Sequence, residues 1–319
     1  MMNRTVFSLF VCCSSVILFA FNRHETPKPK KASIRTLIVD AGHGGIDPGA
    51  RGSYSNEANV SLDVALKLGD LIKKEFPDIK VIYTRTADAT AGNKRTISEA
   101  NRWRATMANE SGGDLYIAIH CNSAPIIRHR EVTGYKTGTT YVGKGKKRKK
   151  VTRKIAQYRH WSTPNPAHGT ETYIWALDKN DAKVNSMNQT EYYGEIDSTE
   201  TDTQIRLPDP SDPAEKARML IYAQHYFRKS YDLADMIEKQ FVARGRFSRG
   251  VKQRNDKGIW VLQATGMPSI LVEIGFISDK EDEEYINSSK GQDEIAEDIL
   301  GALRTYKDKI ESKSINTSQ

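Results

Sequence analysis

The sequence predicts an α/β fold: a mostly parallel, twisted sheet with helices on both faces, gathered in a single main domain. Three observations predict it. Short apolar runs of strand character alternate along the chain with longer segments whose apolar residues recur at helical spacing. Three of the runs close on acidic or imidazole side chains, the expected arrangement where ligands collect beyond the carboxyl ends of parallel strands. No internal repeat interrupts the alternation.

The elements follow in order. Met1-Met2-Asn3-Arg4 is a short basic start, Thr5 to Phe21 is apolar, and Asn22-Arg23-His24-Glu25 and Pro27-Lys28-Pro29-Lys30-Lys31 follow. This is the layout of a secretory signal (1–22) and a linker (23–33), too short and wrongly flanked for a membrane span. Export to the periplasm or cell envelope is expected, with an uncleaved membrane anchor as the alternative. Cys12 and Cys13 leave with a cleaved signal. Cys121 alone remains, so no intramolecular disulfide is available and the core must hold the exported domain. With 38% apolar residues in 319, that core is adequate.

Arg35 to Val39 reads as a buried strand entering the stretch IVDAGHGGIDPGA (Ile38–Ala50), where one histidine stands among glycines. Glycine permits unusual backbone conformations and close approach, which suits a place where a ligand reaches a strand end; an ordinary glycine turn is the plainer explanation. Asn56 to Phe76 reads as a helix with Val60, Val64, Leu68, Leu71 and Ile72 on one face, Ile79 to Thr84 as a strand, and Lys94 to Glu110 as a second helix. Leu115 to His120, LYIAIH, reads as an interior strand with its histidine at the C-terminal end. A basic, Gly/Thr-rich insert follows at about 128–167, then a strand at Thr170–Leu177 and an acidic loop at about 179–213. Ala214 to Arg244 reads as a helix, Ile259–Leu262 and Ser269–Glu273 as short strands, and Gln292 to Ile310 as a closing helix before a polar tail, 311–319.

Chemistry gathers at the predicted strand ends: Asp40 and His43, His120, and Glu273. Glu57, in the first turn of the first helix, returns near His43. Offsetting the helix dipole is sufficient reason for a carboxylate there. Two imidazoles and a carboxylate are also the protein ligands of a catalytic zinc with a fourth position open to water, so His43, Glu57 and His120 are the candidate metal ligands. Glu273 stands among Leu271, Val272, Ile274 and Phe276 in ILVEIGF. Burial there raises a carboxylate's pKa towards the range a proton shuttle needs, whereas a structural ion pair with an arginine is the alternative.

The ordered set DAGHGGIDPGA, NEANV, IAIHCN, GTETY, RGVKQ and PSILVEIGFIS resembles the zinc-dependent N-acetylmuramoyl-L-alanine amidases of the amidase-3 type over about residues 34–310, apart from the basic insert. The resemblance implies one zinc per chain on His43, Glu57 and His120, with Glu273 as the catalytic carboxylate. It implies hydrolysis of the amide between N-acetylmuramic acid and the L-alanine of the peptidoglycan stem peptide. Glu171 in GTETY and Arg249 and Gln253 in RGVKQ match weaker positions for substrate or support, each with packing or an ion pair as the alternative. Asn122 is placed to orient His120 from behind.

Two features depart from the pattern. The insert concentrates positive charge at Lys144–Lys154, which suits an anionic envelope polymer or membrane surface, or a solvated segment without a role. Nucleic acid is not an expected partner of an exported chain. The acidic stretch Glu191–Asp212 holds Glu191 and Glu195 as candidates for a carboxylate that covers the zinc until an activator protein removes it, or it grips substrate. Alternatives to the amidase are a zinc peptidase or deacetylase acting on wall material, or a non-catalytic wall-binding regulator, which would lack one of the four site residues.

Overall fold

The structure, a computed structural model, describes residues 34–175, 213–253 and 259–316. The signal, the linker and the acidic stretch with Glu191 and Glu195 lie outside the described residues. The strands are β1 (Thr36–Ala41), β2 (Lys80–Tyr83), β3 (Leu115–Asn122), β4 (Ile127–Val142), β5 (Lys149–Thr163), β6 (Thr170–Ile174), β7 (Ser248–Gln253) and β8 (Ser269–Phe276). The helices are α1 (Glu57–Glu75), α2 (Ile97–Glu110), α3 (Pro213–Ala243), α4 (Trp260–Ala264), α5 (Lys280–Asn287) and α6 (Ser289–Asn316).

The main sheet has the order β2-β1-β3-β8-β6-β7. β2, β1, β3 and β8 run parallel; β6 lies antiparallel to β8, and β7 follows β6. Successive strand residues point to opposite faces, and both faces are covered. Leu37 and Val39 of β1, Ile117 and Ile119 of β3, and Val272 of β8 pack with Val64 and Leu68 of α1, Ile237 of α3 and Leu303 of α6. The alternate residues Ile38, Tyr116, Ala118 and Leu271 pack with Ala108 of α2 and Val261 and Leu262 of α4. A sheet buried on both sides explains the near-continuous apolar runs LIV and LYIAI. Local signals set the helix starts. Asn56 caps α1 by accepting from the Asn59 amide, and Thr96 with Glu99 forms a reciprocal capping pair at α2. Cys121 is free and buried.

Several expectations are corrected. Ile259–Leu262 is not a strand; Ile259 precedes the short helix α4. A four-residue apolar run carries no period that separates the two states. RGVKQ lies within an edge strand, β7, and Lys280–Asn287 forms the additional helix α5. β6 ends at Ile174, and the last helix begins at Ser289 and continues through Asn316, so most of the polar tail is helical. The basic insert is a hairpin: β4 and β5 pair antiparallel from Ile127 with Thr163 to Val142 with Lys149, in a sheet of their own. Among the described residues no helix is long and apolar enough to cross a membrane.

Candidate metal centre

The chain brings His43, Glu57 and His120 together, with one ligand-capable atom from each lying within 4.8 Å of the others. Glu57 opens α1, His120 nears the end of β3, and His43 sits in the loop after β1. Oε1 of Glu57 is 2.8 Å from Nδ1 of His120 and 3.1 Å from Nε2 of His43. The two rings meet edge to face, 4.9 Å apart. The carboxylate is fixed from behind by backbone amides: Ala50 donates to Oε2 at 2.8 Å and Cys121 to Oε1 at 3.1 Å. Burial alone would raise the pKa of Glu57, but the hydrogen bonds and charges of His120 and His43 outweigh it and hold the carboxyl well below its usual range. Burial of His43 opposes its charged form, yet Glu57 and Asp47 carry its pKa up to about 9.

The glycines answer to geometry. A Cβ on Gly42 would stand 2.7 Å from Nδ1 of His120, and one on Gly49 2.7 Å from Oε2 of Glu57. Side chains are missing where the ligand candidates need the space. His43 itself has a φ of 59°, in the left-handed region that a non-glycine residue seldom adopts.

Three residues that the sequence motifs did not single out secure this loop. Oδ2 of Asp47 accepts from Nδ1 of His43 at 2.8 Å, which leaves Nε2 facing Glu57. Arg104 of α2 donates to the His43 carbonyl at 2.5 Å and the Ala41 carbonyl at 2.9 Å, and pairs with Asp40. Arg85 donates to the carbonyls of Gly42, at 2.7 Å, and Ala58, at 2.6 Å. Asp40 is therefore no ligand. It is buried under Arg104, Thr84 and Tyr116; burial pushes its pKa up, but Arg104 and the two hydroxyls bring it below the usual value.

Glu273 is the register partner of His120 on one side and of Glu171 on the other, so all three side chains project from one sheet face. Glu171 is buried and receives Asn122 Nδ2 at 3.0 Å, the Tyr173 hydroxyl at 2.8 Å, and Arg249 Nε in an ion pair. Asn122 thus braces Glu171 rather than orienting His120. Gln253 does not reach the site. It pairs with Ile174, which pairs with Ile270, at the far end of β8 from Glu273. Because β6 and β7 run against the parallel strands, moving along RGVKQ leads away from the site, and only its first residue, Arg249, stays near.

Two imidazoles and a carboxylate at the strand ends of an α/β sheet, with a further glutamate alongside, define the class: a hydrolytic domain built round a candidate metal site. The chain belongs to the amidase-3 family, described as N-acetylmuramoyl-L-alanine amidase, which its residues 37–305 match. It is 26% identical over 290 residues to an uncharacterized cell wall amidase of Bacillus anthracis, covering 89% of this chain and 38% of that relative, so it spans little more than a third of that protein. It is 22% identical over 309 residues to the germination-specific N-acetylmuramoyl-L-alanine amidase of Bacillus subtilis, covering 94% of this chain and 92% of that one. The crystal structure of an N-acetylmuramoyl-L-alanine amidase from Clostridium difficile 630 shares the fold, with a TM-score of 0.51 and 23% identity over 86% of this chain and 98% of that one.

Proposed function

We propose that this chain hydrolyses the amide joining the lactyl group of N-acetylmuramic acid to the L-alanine of the peptidoglycan stem peptide. In this reading His43, Glu57 and His120 hold zinc, and Glu273 carries the proton. The observation that carries it is the convergence of the three ligand candidates beside Glu273, in a chain of the amidase family. The donor set fits zinc: two imidazoles and one carboxylate, with His43 oriented by Asp47 and Glu57 fixed by the amides of Ala50 and Cys121. When bound, zinc supplies Lewis acidity, polarising the amide carbonyl and bringing the pKa of water near neutrality.

The chain's own residues supply the rest. Asp47 fixes the ring of His43 so that Nε2 faces the centre, and the amides of Ala50 and Cys121 fix Glu57. Glu273 accepts the proton of the attacking water and delivers it to the alanine nitrogen. The C–N bond breaks, the water oxygen stays on the lactyl carbon as a carboxylate, and the alanine leaves as an amine. Glu171 already has three donors around it, which makes it a positioning residue for the neighbouring strand rather than a second base. Peptidoglycan lies outside the cytoplasm, so residues 1–22 act in this reading as an export signal and the protein works in the periplasm or envelope.

Digestion of purified sacculi followed by mass spectrometry tests the bond. The expected products are stem peptides with a free N-terminal L-alanine, and glycan without peptide. Cuts within the stem peptide would make the chain a peptidase, and loss of acetyl groups would make it a deacetylase.

A further inference from the structure

The hairpin of β4 and β5 takes no part in the site just described, and its composition sets it apart from the rest of the chain. Residues 127–163 hold twelve Lys and Arg against one acid, Glu131, a surplus of eleven; the whole chain carries +8, so everything outside the hairpin is net acidic by three. The arm is on the order of 50 Å long at the usual strand rise. Almost all of its side chains are exposed. A two-stranded ribbon with no covered face is marginal in water and is suited to gain order from a partner.

Register settles what that partner must accommodate. On one face stand Arg128, Arg130, Lys150 and Lys154, with Tyr135, Tyr141 and Tyr158 among them. On the other stand Lys136, Lys149, Arg153 and Arg159, with Trp161 opposite His129. Insertion into lipid requires one apolar face, and neither face is apolar. Cations and rings are instead interleaved: Arg130 lies 5.0 Å over the ring of Tyr158, Arg159 5.3 Å over Trp161, and Arg148 4.8 Å over Tyr141. Flat apolar rings beside guanidinium groups match a chain of sugar rings that carries carboxylates, since the rings cover the sugar faces and the guanidinium forks pair with the acids.

The hairpin is also rooted beside the chemistry. It leaves the chain between His120 and Glu171. Its legs are tied by Asn165 Nδ2 to the Pro125 carbonyl at 3.2 Å, and to the loop after β8 by the Ala124 amide to Ser278 Oγ at 2.9 Å. Each hydrolysis proposed above breaks the amide C–N bond, puts the water oxygen on the lactyl carbon and sends the proton to the alanine nitrogen. Every muramic residue that has been cut therefore bears a new carboxylate.

We propose that the β4–β5 hairpin binds the carboxylated glycan strand that the reaction leaves, holding the enzyme on the polymer between cuts. The inference rests on the hydrolysis proposed above, and its test is separable from it. The full chain carrying Glu273→Gln is mixed with glycan strands stripped beforehand by an unrelated amidase, with intact sacculi, and with phosphatidylglycerol vesicles, at low and high salt. The expected result is salt-sensitive binding to stripped glycan, tighter than to vesicles or intact sacculi. It should weaken about tenfold or more when Arg128, Arg130, Lys150 and Lys154 are all changed to Gln, and likewise in a Tyr158→Ala, Trp161→Ala chain. Both hairpin variants in the otherwise unaltered enzyme should cut a small soluble muramyl peptide as the parent does, which shows them folded. Failure of the parent to cut that fragment counts against the hydrolysis alone. Equal binding of glycan by parent and variants, or preference for vesicles or for intact sacculi, would overturn the role of the hairpin.

Discussion

His120 on β3 and Glu273 on β8 are register partners on adjacent parallel strands. A ligand candidate and the group proposed to carry the proton are therefore set side by side by sheet pairing, not by loops. Glu171 on antiparallel β6 extends the same row, and its three donors stiffen the flank. Only His43 comes from a loop, and the chain holds that loop with two buried arginines and Asp47. A site built on rigid elements keeps its geometry before substrate arrives.

Asp47 gives the first prediction. Its bond to Nδ1 of His43, 2.8 Å long, orients the ring. Asp47→Ala is expected to weaken zinc binding about 10–100-fold, with Asp47→Asn intermediate, as measured by competition with a chromophoric chelator. Unchanged affinity in the alanine variant would remove Asp47 from the account.

Gly42 tests the reason for the missing side chains. An added Cβ would meet the ring of His120, 2.7 Å from Nδ1, so Gly42→Ala should displace the ring and lower zinc affinity and turnover at least about tenfold. In Gly134→Ala the nearest atom to the new Cβ is 3.8 Å away, and this variant should behave as the parent. Similar behaviour of the two variants would show that Gly42 is not required for ring placement.

The four residues that carry the candidate site were legible because each stands out against its background. His43 lies among glycines, Glu57 opens an amphipathic helix, and His120 and Glu273 sit in apolar runs where polar side chains are costly. Arg85 and Arg104 were not legible, since their partners are mostly backbone carbonyls far away in sequence, and nothing in a local pattern distinguishes a bracing arginine from a solvated one. β7 escaped because a short, charged, glycine-interrupted stretch has no strand period. The RGVKQ motif sets Gln253 close to Arg249 in sequence, but the reversal of β6 and β7 carries it to the opposite end of the sheet.

Removal of Arg104 should be severe. It would leave the buried carboxylate of Asp40 without its ion-pair partner, and would release the carbonyls of Ala41 and His43. Arg104→Ala is predicted to cost about 3–5 kcal/mol in denaturant unfolding, with part of the loss recovered by adding Asp40→Asn. A cost below about 1 kcal/mol would show that the pair contributes little beyond what water replaces.

Glu283 makes stability depend on acid. Its carboxylate accepts from the amides of Ser53, Tyr54 and Ser55 at 2.9, 3.1 and 3.2 Å and from the hydroxyls of Ser53 and Ser55. Burial alone would raise its pKa; these bonds outweigh burial and bring it from 4.5 down to about 2. A carboxyl depressed on folding stabilises fully above its unfolded pKa and loses that contribution as pH falls through the folded value. The stability gap between the parent and Glu283→Gln should therefore be constant above about pH 5 and close progressively towards pH 2. A gap that stays constant over that interval would rule out the carboxylate as its source.

The central claim, that three residues hold zinc while a fourth moves the proton, is tested most directly by measuring bound zinc and turnover on the same samples of the parent and of Glu273→Gln. The account predicts one zinc per chain in both, removed from both by chelator. Turnover should fall about 10²–10⁴-fold in the variant alone. An active Glu273→Gln chain, or one that has lost its zinc, would contradict the division of labour proposed for these four side chains.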